Sequence, residues 1–298
     1  MKLVTYQTDG QPLLGALVRD QVIDLKSAHR AMGNDATALF PDDMIALLSE
    51  GASGLEKAAA AIKFAETQPD TYEQSLDKVT LLPPVVRPGK VIALGMNYKA
   101  HAAEGGNKLP EYPLLFHKTS GSLLGSGGTI VLPPNSTQVD YEGELAVIIG
   151  RTCKQVSPEE ALDYVAGYAN GNDVSARDLQ RRTSQFTSGK MLDTFGPLGP
   201  VLVIRDEIPD PGNLHLQSKL NGKVMQDGNT QMMIFDIPFT ISYISHIATL
   251  HVGDVIFTGT PNGVGFARTP PIYLQDGDVI SVEIEGLGTL TNHVKNQS

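Results

Sequence analysis

The acids of Asp140-Tyr141-Glu142-Gly143-Glu144, running straight into Leu145-Ala146-Val147-Ile148-Ile149, are where this 298-residue chain concentrates its chemistry. An apolar run closed by Gly150 reads as a buried strand. Alternate residues of a strand share a face, so Asp140, Glu142 and Glu144 are expected to point one way at its entrance. Three like charges that close repel, and they are costly to desolvate unless a cation or proton compensates. Hard divalent metals (Mg2+, Mn2+ or Ca2+) favour carboxylate oxygens and answer that cost. A solvated strand end with its acids in water is the competing reading of the same residues.

Four other segments supply complementary groups. In Asn172-Asp173-Val174-Ser175-Ala176-Arg177-Asp178-Leu179-Gln180, Asp173 can complete a Glu-Glu-Asp set with free positions for water and substrate, or can simply cap a turn. His101 and Glu104, at i and i+3, are neighbours on one helical face. A carboxylate there orients the imidazole and raises its basicity, as deprotonating a water requires; an ordinary surface pair has the same spacing. Zinc lacks a supporting His or Cys motif. Gly105-Gly106-Asn107-Lys108 follows with the composition of a mobile loop or lid. Lys190, in a Gly/Pro-flanked segment, offers a cation for an oxyanion or carboxylate. The turn Thr258-Gly259-Thr260-Pro261-Asn262-Gly263 offers N–H groups and a hydroxyl to a carboxylate. Neither Gly121–Gly128 nor the Ser188-Gly189-Lys190-Met191 segment meets the requirements of a phosphate-binding loop.

The elements that must hold these groups are mostly strands. Residues 1–80 read as a small leading α/β domain. Its short strands lie near 3–6, 14–18 and 21–25, with turns at Asp9-Gly10 and Arg19-Asp20; helices between Asp42 and Glu66 break at Gly51–Gly54. The boundary falls in the proline-stiffened 82–89, and residues 81–298 form the larger domain of alternating strands and turns. Helices are expected near 157–168, where Ser157-Pro158-Glu159-Glu160 is a good start, and near 236–248.

Thirty glycines and nineteen prolines suit a turn-rich, α+β but mainly β architecture. A net charge of −10 argues against a nucleic-acid partner. One cysteine, Cys153, excludes an internal disulfide framework and a thiolate metal cage. With no apolar leader and no membrane-length apolar span, the expectation is a soluble cytoplasmic protein with no membrane partner.

Taken in order from about Lys90 to Val294, these segments resemble the fumarylacetoacetate hydrolase family. They include Gly95-Met96-Asn97-Tyr98 with His101 and Glu104, Pro113–Lys118, the acidic strand, and Asn172–Asp178. Lys190 with Asp193–Pro197, Met233-Ile234-Phe235, and Gly259–Gly265 continue the likeness. The resemblance implies a mixed β-roll, a homodimer, and one Mg2+ or Mn2+ per subunit held by Glu142, Glu144 and Asp173. It implies catalysis by His101, Glu104 and Lys190 under a closing lid, with Arg177, Gln180 and Thr260 contacting substrate. Two departures stand out. Leu179 occupies a position where many relatives carry tryptophan, which is expected to alter pocket shape, and His117 stands where a hydrophobic residue is usual.

The leading functional expectation is hydrolysis of a carbon–carbon bond in a 2,4-dioxo acid of the acylpyruvate or fumarylpyruvate type, giving pyruvate and a carboxylic acid. His101 would take a proton from the attacking water, and Lys190 would offset charge on the oxyanion. Oxaloacetate decarboxylation and isomerisation of a 2-hydroxy-dienedioate are the alternatives on the same scaffold. A non-catalytic metal- or ligand-binding protein would have no need of the His101–Glu104 pair.

Overall fold

The structure, a computed structural model, describes residues 1–8, 10–33, 39–68 and 71–297. The expected Asp9-Gly10 turn therefore falls partly outside the described residues. At the centre lies Gly143–Ile149, buried at every position. Leu145, Val147 and Ile149 enter one hydrophobic cluster, while Ala146 and Ile148 enter another. Both faces of the strand are covered, which is why its sequence is a continuous apolar run instead of an alternating one.

This strand lies antiparallel between Val165–Asn172 and Val255–Phe257. Beyond Val255–Phe257 come Val91–Gly95, in parallel, and then Leu114–Lys118. In the other direction the sheet passes through Gly196–Ile204 to Lys2–Gln7, whose Lys2 and Leu3 pair with Val203 and Leu202. The leading strands Leu13–Val18 and Gln21–Asp24 follow, so hydrogen bonding is continuous from the leading segment to the centre. A second, five-stranded sheet, carrying Val282, Ile284 and Leu290, packs into the first cluster. Helices Met44–Ser49 and Ala52–Glu66 cover the second. The architecture is α+β and mainly β, as expected.

The helices from 42 to 66 separate at Glu50-Gly51, and Gly54 sits inside the longer one, not in the break. Ile237–Ile247 is a helix as expected, its Asp236 side chain accepting from the Phe239 N–H. The helix expected at 157–168 is absent. Ser157 and Glu160 do make the starting contacts, yet only a 3-10 turn, Ala161–Tyr164, follows before the strand Val165–Asn172. That stretch pairs with strands on both edges, and the gain from ladder formation overrides a local start signal. Among the described residues, no helix is long and apolar enough to cross a membrane.

Candidate active site

Strand register brings the acids together. Gly143 pairs with Asn172, so Glu142 and Asp173 are opposed one step further along, and the Asp173 N–H donates to the Glu142 carbonyl at 2.8 Å. On the other edge Ala146 pairs with Phe257, and two steps back Glu144 meets Gly259, whose N–H donates to Glu144 Oε2 at 2.7 Å. Gly259 has φ +97°, a conformation that aims its N–H inward and that side chains disfavour. Oxygens of Glu142, Glu144 and Asp173 all lie within 4.8 Å of one another, in buried positions. Among the described residues this is the one such grouping of metal-ligating side chains.

Asp140 does not join them, contrary to the one-face expectation. The central strand starts only at Gly143, and Asp140 sits on a separate two-residue ribbon with Ser175–Ala176. The Asn172 side chain accepts the Glu142 N–H at 2.9 Å and turns the chain between ribbon and strand. Asp140 instead accepts N–H groups from Tyr141, Gly265 and Phe266 and faces the Arg177 guanidinium at 2.9 Å. A Cβ at position 265 would lie 1.8 Å from the Ile272 carbonyl oxygen, so only glycine allows this approach.

Three cations are buried around the acids. Lys190 Nζ, at the end of the helical turn Thr187–Lys190, stands 2.7 Å from both Glu142 Oε2 and Asp173 Oδ2. Lys118 Nζ lies 2.6 Å from Asp173 Oδ1 and also donates to the Lys190 carbonyl. Arg177 Nη2 stands 2.6 Å from Glu142 Oε1, and Arg177 Nη1 donates to Gln180 Oε1 at 3.2 Å.

These charges divide the carboxylates. Burial pushes Glu142 up, but Arg177 and Lys190 outweigh it and hold the group well below the usual range. Burial, then the charges of Asp173 and Glu142, push Glu144 well above it. Burial pulls Lys118 down despite Asp173, whereas Asp173 and Glu142 overcome burial to raise Lys190. Four carboxylates, Asp140, Glu142, Glu144 and Asp173, thus stand against three cations, Lys118, Arg177 and Lys190, and among the described residues Glu144 is the one of the four with no ion pair. Three converging hard oxygen donors with charge left over fit a divalent cation of the Mg2+, Mn2+ or Ca2+ kind.

Beside the cluster is a cavity of about 310 Å³ lined by His101, Glu142, Glu144, Arg177, Gln180, Lys190 and Thr260, among others. Asp173 lies behind it in the cluster, and Glu104 behind His101. His101 and Glu104 occupy the helix Lys99–Glu104, with His101 Nδ1 and Glu104 Oε1 2.8 Å apart. In the neutral imidazole, a carboxylate at that distance accepts the Nδ1 hydrogen and the lone pair lies on Nε2. The Gly263 N–H fixes the other Glu104 oxygen at 2.9 Å. Gly105 and Asn107, from the expected lid segment, also line the cavity.

Thr260 is engaged internally: its hydroxyl donates to the Gly143 carbonyl and accepts from Gln226 Nε2. Sequence reasoning missed Gln226, which carries no local signal and lies 34 residues from Thr260. It gave Lys118 no role, although alternation along Leu114–Lys118 puts Phe116 and Lys118 inward and His117 in solvent. Leu179 packs with Val174, Ala176 and Phe195 and does not line the cavity, so the expected change of pocket shape does not arise directly from it.

A family profile described as "Fumarylacetoacetate (FAA) hydrolase C-terminal" matches residues 90–295. The chain is 40% identical to "Oxaloacetate tautomerase Fahd2a, mitochondrial" of Rattus norvegicus, covering 99% of this chain and 91% of that protein. It is 38% identical to "Oxaloacetate tautomerase YisK" of Bacillus subtilis, covering 99% and 100%. Among solved structures it resembles a maleylpyruvate hydrolase from Sphingobium sp. SYK-6 in complex with manganese(II) and pyruvate. There the TM-score is 0.79 and the identity 32%, with full coverage of both chains.

Proposed function

Because the chain belongs to the fumarylacetoacetate hydrolase family, we propose that it is a metal-dependent enzyme interconverting the keto and enol forms of a 2-oxo acid of the oxaloacetate type. The observation that carries this reading is one oriented imidazole, His101 with Nε2 free, opening on the same cavity as the Glu142–Glu144–Asp173 cluster. Enolisation requires one base that takes a proton from the carbon beside the ketone and delivers it to the ketone oxygen, and the reverse for ketonisation. The expected hydrolysis needs a positioned water as well, and the relatives named as oxaloacetate tautomerases weigh against making it the leading reading.

Mg2+ or Mn2+ is the ion assigned to the acids, supported by the relative holding manganese(II); bound there, it would supply Lewis acidity to the 2-oxo group and its neighbouring carboxylate. Glu104 orients the His101 ring, and His101 Nε2 carries the proton between the carbon beside the ketone and the enolate oxygen. Lys190 spends two of its three N–H donors on Glu142 and Asp173, leaving one for the developing enolate oxygen. Arg177, tied to Asp140, Glu142 and Gln180, positions the Glu142 carboxylate more than it offers itself to substrate. Phe116 and Phe266 form apolar walls.

Hydrolysis of a 2,4-dioxo acid is the second reading, favoured by the likeness to the maleylpyruvate hydrolase. The test is to give the Mg2+- or Mn2+-loaded chain freshly dissolved enol oxaloacetate and follow the enol absorbance and pyruvate release together. Rapid enol loss without matching pyruvate supports tautomerisation. Stoichiometric pyruvate makes the chain a decarboxylase, and cleavage of acetylpyruvate with no effect on oxaloacetate makes it a hydrolase.

A further inference from the structure

Three cationic side chains face the cavity, and two are already committed. Arg177 is spent on Asp140, Glu142 and Gln180, and Lys190 on Glu142 and Asp173. Arg181 is different. It lies four residues after Arg177, just past the helical turn Arg177–Gln180, on the same side of that turn. It is exposed, lines the cavity, and has no carboxylate, carbonyl or hydroxyl partner for its guanidinium among the described residues.

Its guanidinium is nonetheless held in place. Arg181 Cζ lies 4.6 Å from the centroid of the Phe266 ring, as does Arg177 Cζ, and the same ring meets His101 edge-on at 6.5 Å. Contact with a ring face fixes a guanidinium while leaving its N–H fork free, and that fork matches a carboxylate in two-point geometry.

Resting on the enolisation reading, we propose that Arg181 binds the distal carboxylate of the substrate and makes the site selective for dicarboxylic 2-oxo acids over monocarboxylic ones. A substrate whose 2-oxo carboxylate end lies at the acidic cluster presents its other end to the open part of the cavity, where Arg181 is the uncommitted cation. Four helical residues advance about 6 Å, a step on the scale of a four-carbon diacid. The inner arginine thus braces the ligand set, and the outer one reads the far end of the substrate.

The test uses the metal-loaded full chain and two stable analogues, malate and 2-hydroxybutanoate, which differ only in the distal carboxylate. Calorimetry is expected to give tighter binding of malate by tenfold or more. Arg181→Gln should narrow that preference at least tenfold and Arg181→Lys should narrow it less, with KM for oxaloacetate rising more than kcat falls. The inference is overturned if the unaltered chain shows no preference, or if Arg181→Gln weakens both ligands by one factor. Should the Arg181-dependent preference appear while oxaloacetate is not enolised, the reaction assignment fails and the assignment of Arg181 stands. Enolisation with a preference unchanged by the substitution leaves the reaction standing and removes the role given to Arg181.

Discussion

Glu142 and Glu144 are two residues apart, yet the protein treats their charges in opposite ways. Glu142 has Arg177 and Lys190 against it; Glu144 has the Gly259 N–H and two neighbouring anions. A carboxyl that binds its proton more tightly when folded loses stability for the protein as pH rises from its ordinary value, 4.5, through the raised folded one. Glu142 acts in the reverse sense: its contribution is present above 4.5 and is lost as pH falls through the lowered folded value. Metal-free Glu144→Gln is therefore expected to melt higher than the metal-free parent, by a margin that widens as pH increases. The same variant should lose the stabilisation by Mn2+, which for the parent is about 2.7 kcal/mol at a concentration one hundred times Kd. Melting curves across pH, with and without Mn2+, check both. His101→Ala should lower enolisation by about 10²–10⁴-fold while leaving Mn2+ affinity nearly intact. Loss of Mn2+ binding in a calorimetric titration of that variant would sink the separation of base from ligand set.

At the level of strands and turns, the ligand set rests on register, and this decides what could be read in advance. Glu142 and Glu144 are legible because acids opening an apolar run are a local pattern, whereas Asp173 joins them through the family resemblance, its own segment reading equally as a turn cap. The place where a strand stops is not a local pattern. Asp140 was therefore grouped with the wrong partners, since Asn172 bends the chain between it and Gly143. The 157–168 segment misleads for the same reason: its capping residues speak for a helix, and the two flanking strands that claim Val165–Asn172 are distant in sequence. Gln226 and Arg181 matter only through neighbours in space. The Gly265 turn is the tightest join of ribbon to site, and Gly265→Ala would press a methyl against a backbone carbonyl that cannot rotate away. We expect a loss near the upper end of the about 1–3 kcal/mol typical of overpacking, measured by urea unfolding. Activity should fall with it, because Asp140 and then Arg177 lose their alignment.

Across the whole molecule, the sheet does more than carry the site. Lys2 and Leu3 complete the ladder of Gly196–Ile204, and Thr5, Tyr6 and Gln7 pair in turn with Leu82, Leu81 and Thr80. The leading segment also supplies Leu47, Leu48 and Ala58 to the apolar cluster under the central strand. Cutting the chain before Val91 would therefore strip a hydrogen-bonded border and a greasy lining at once, although Glu142, Glu144, Asp173 and His101 all lie beyond the cut. Such a shortened protein is expected to scatter light and sediment as large species, and a well-behaved monomeric or dimeric fragment would refute this. The first strand is thus a stopper: it keeps a raw edge from recruiting its counterpart in another molecule and growing into a fibre.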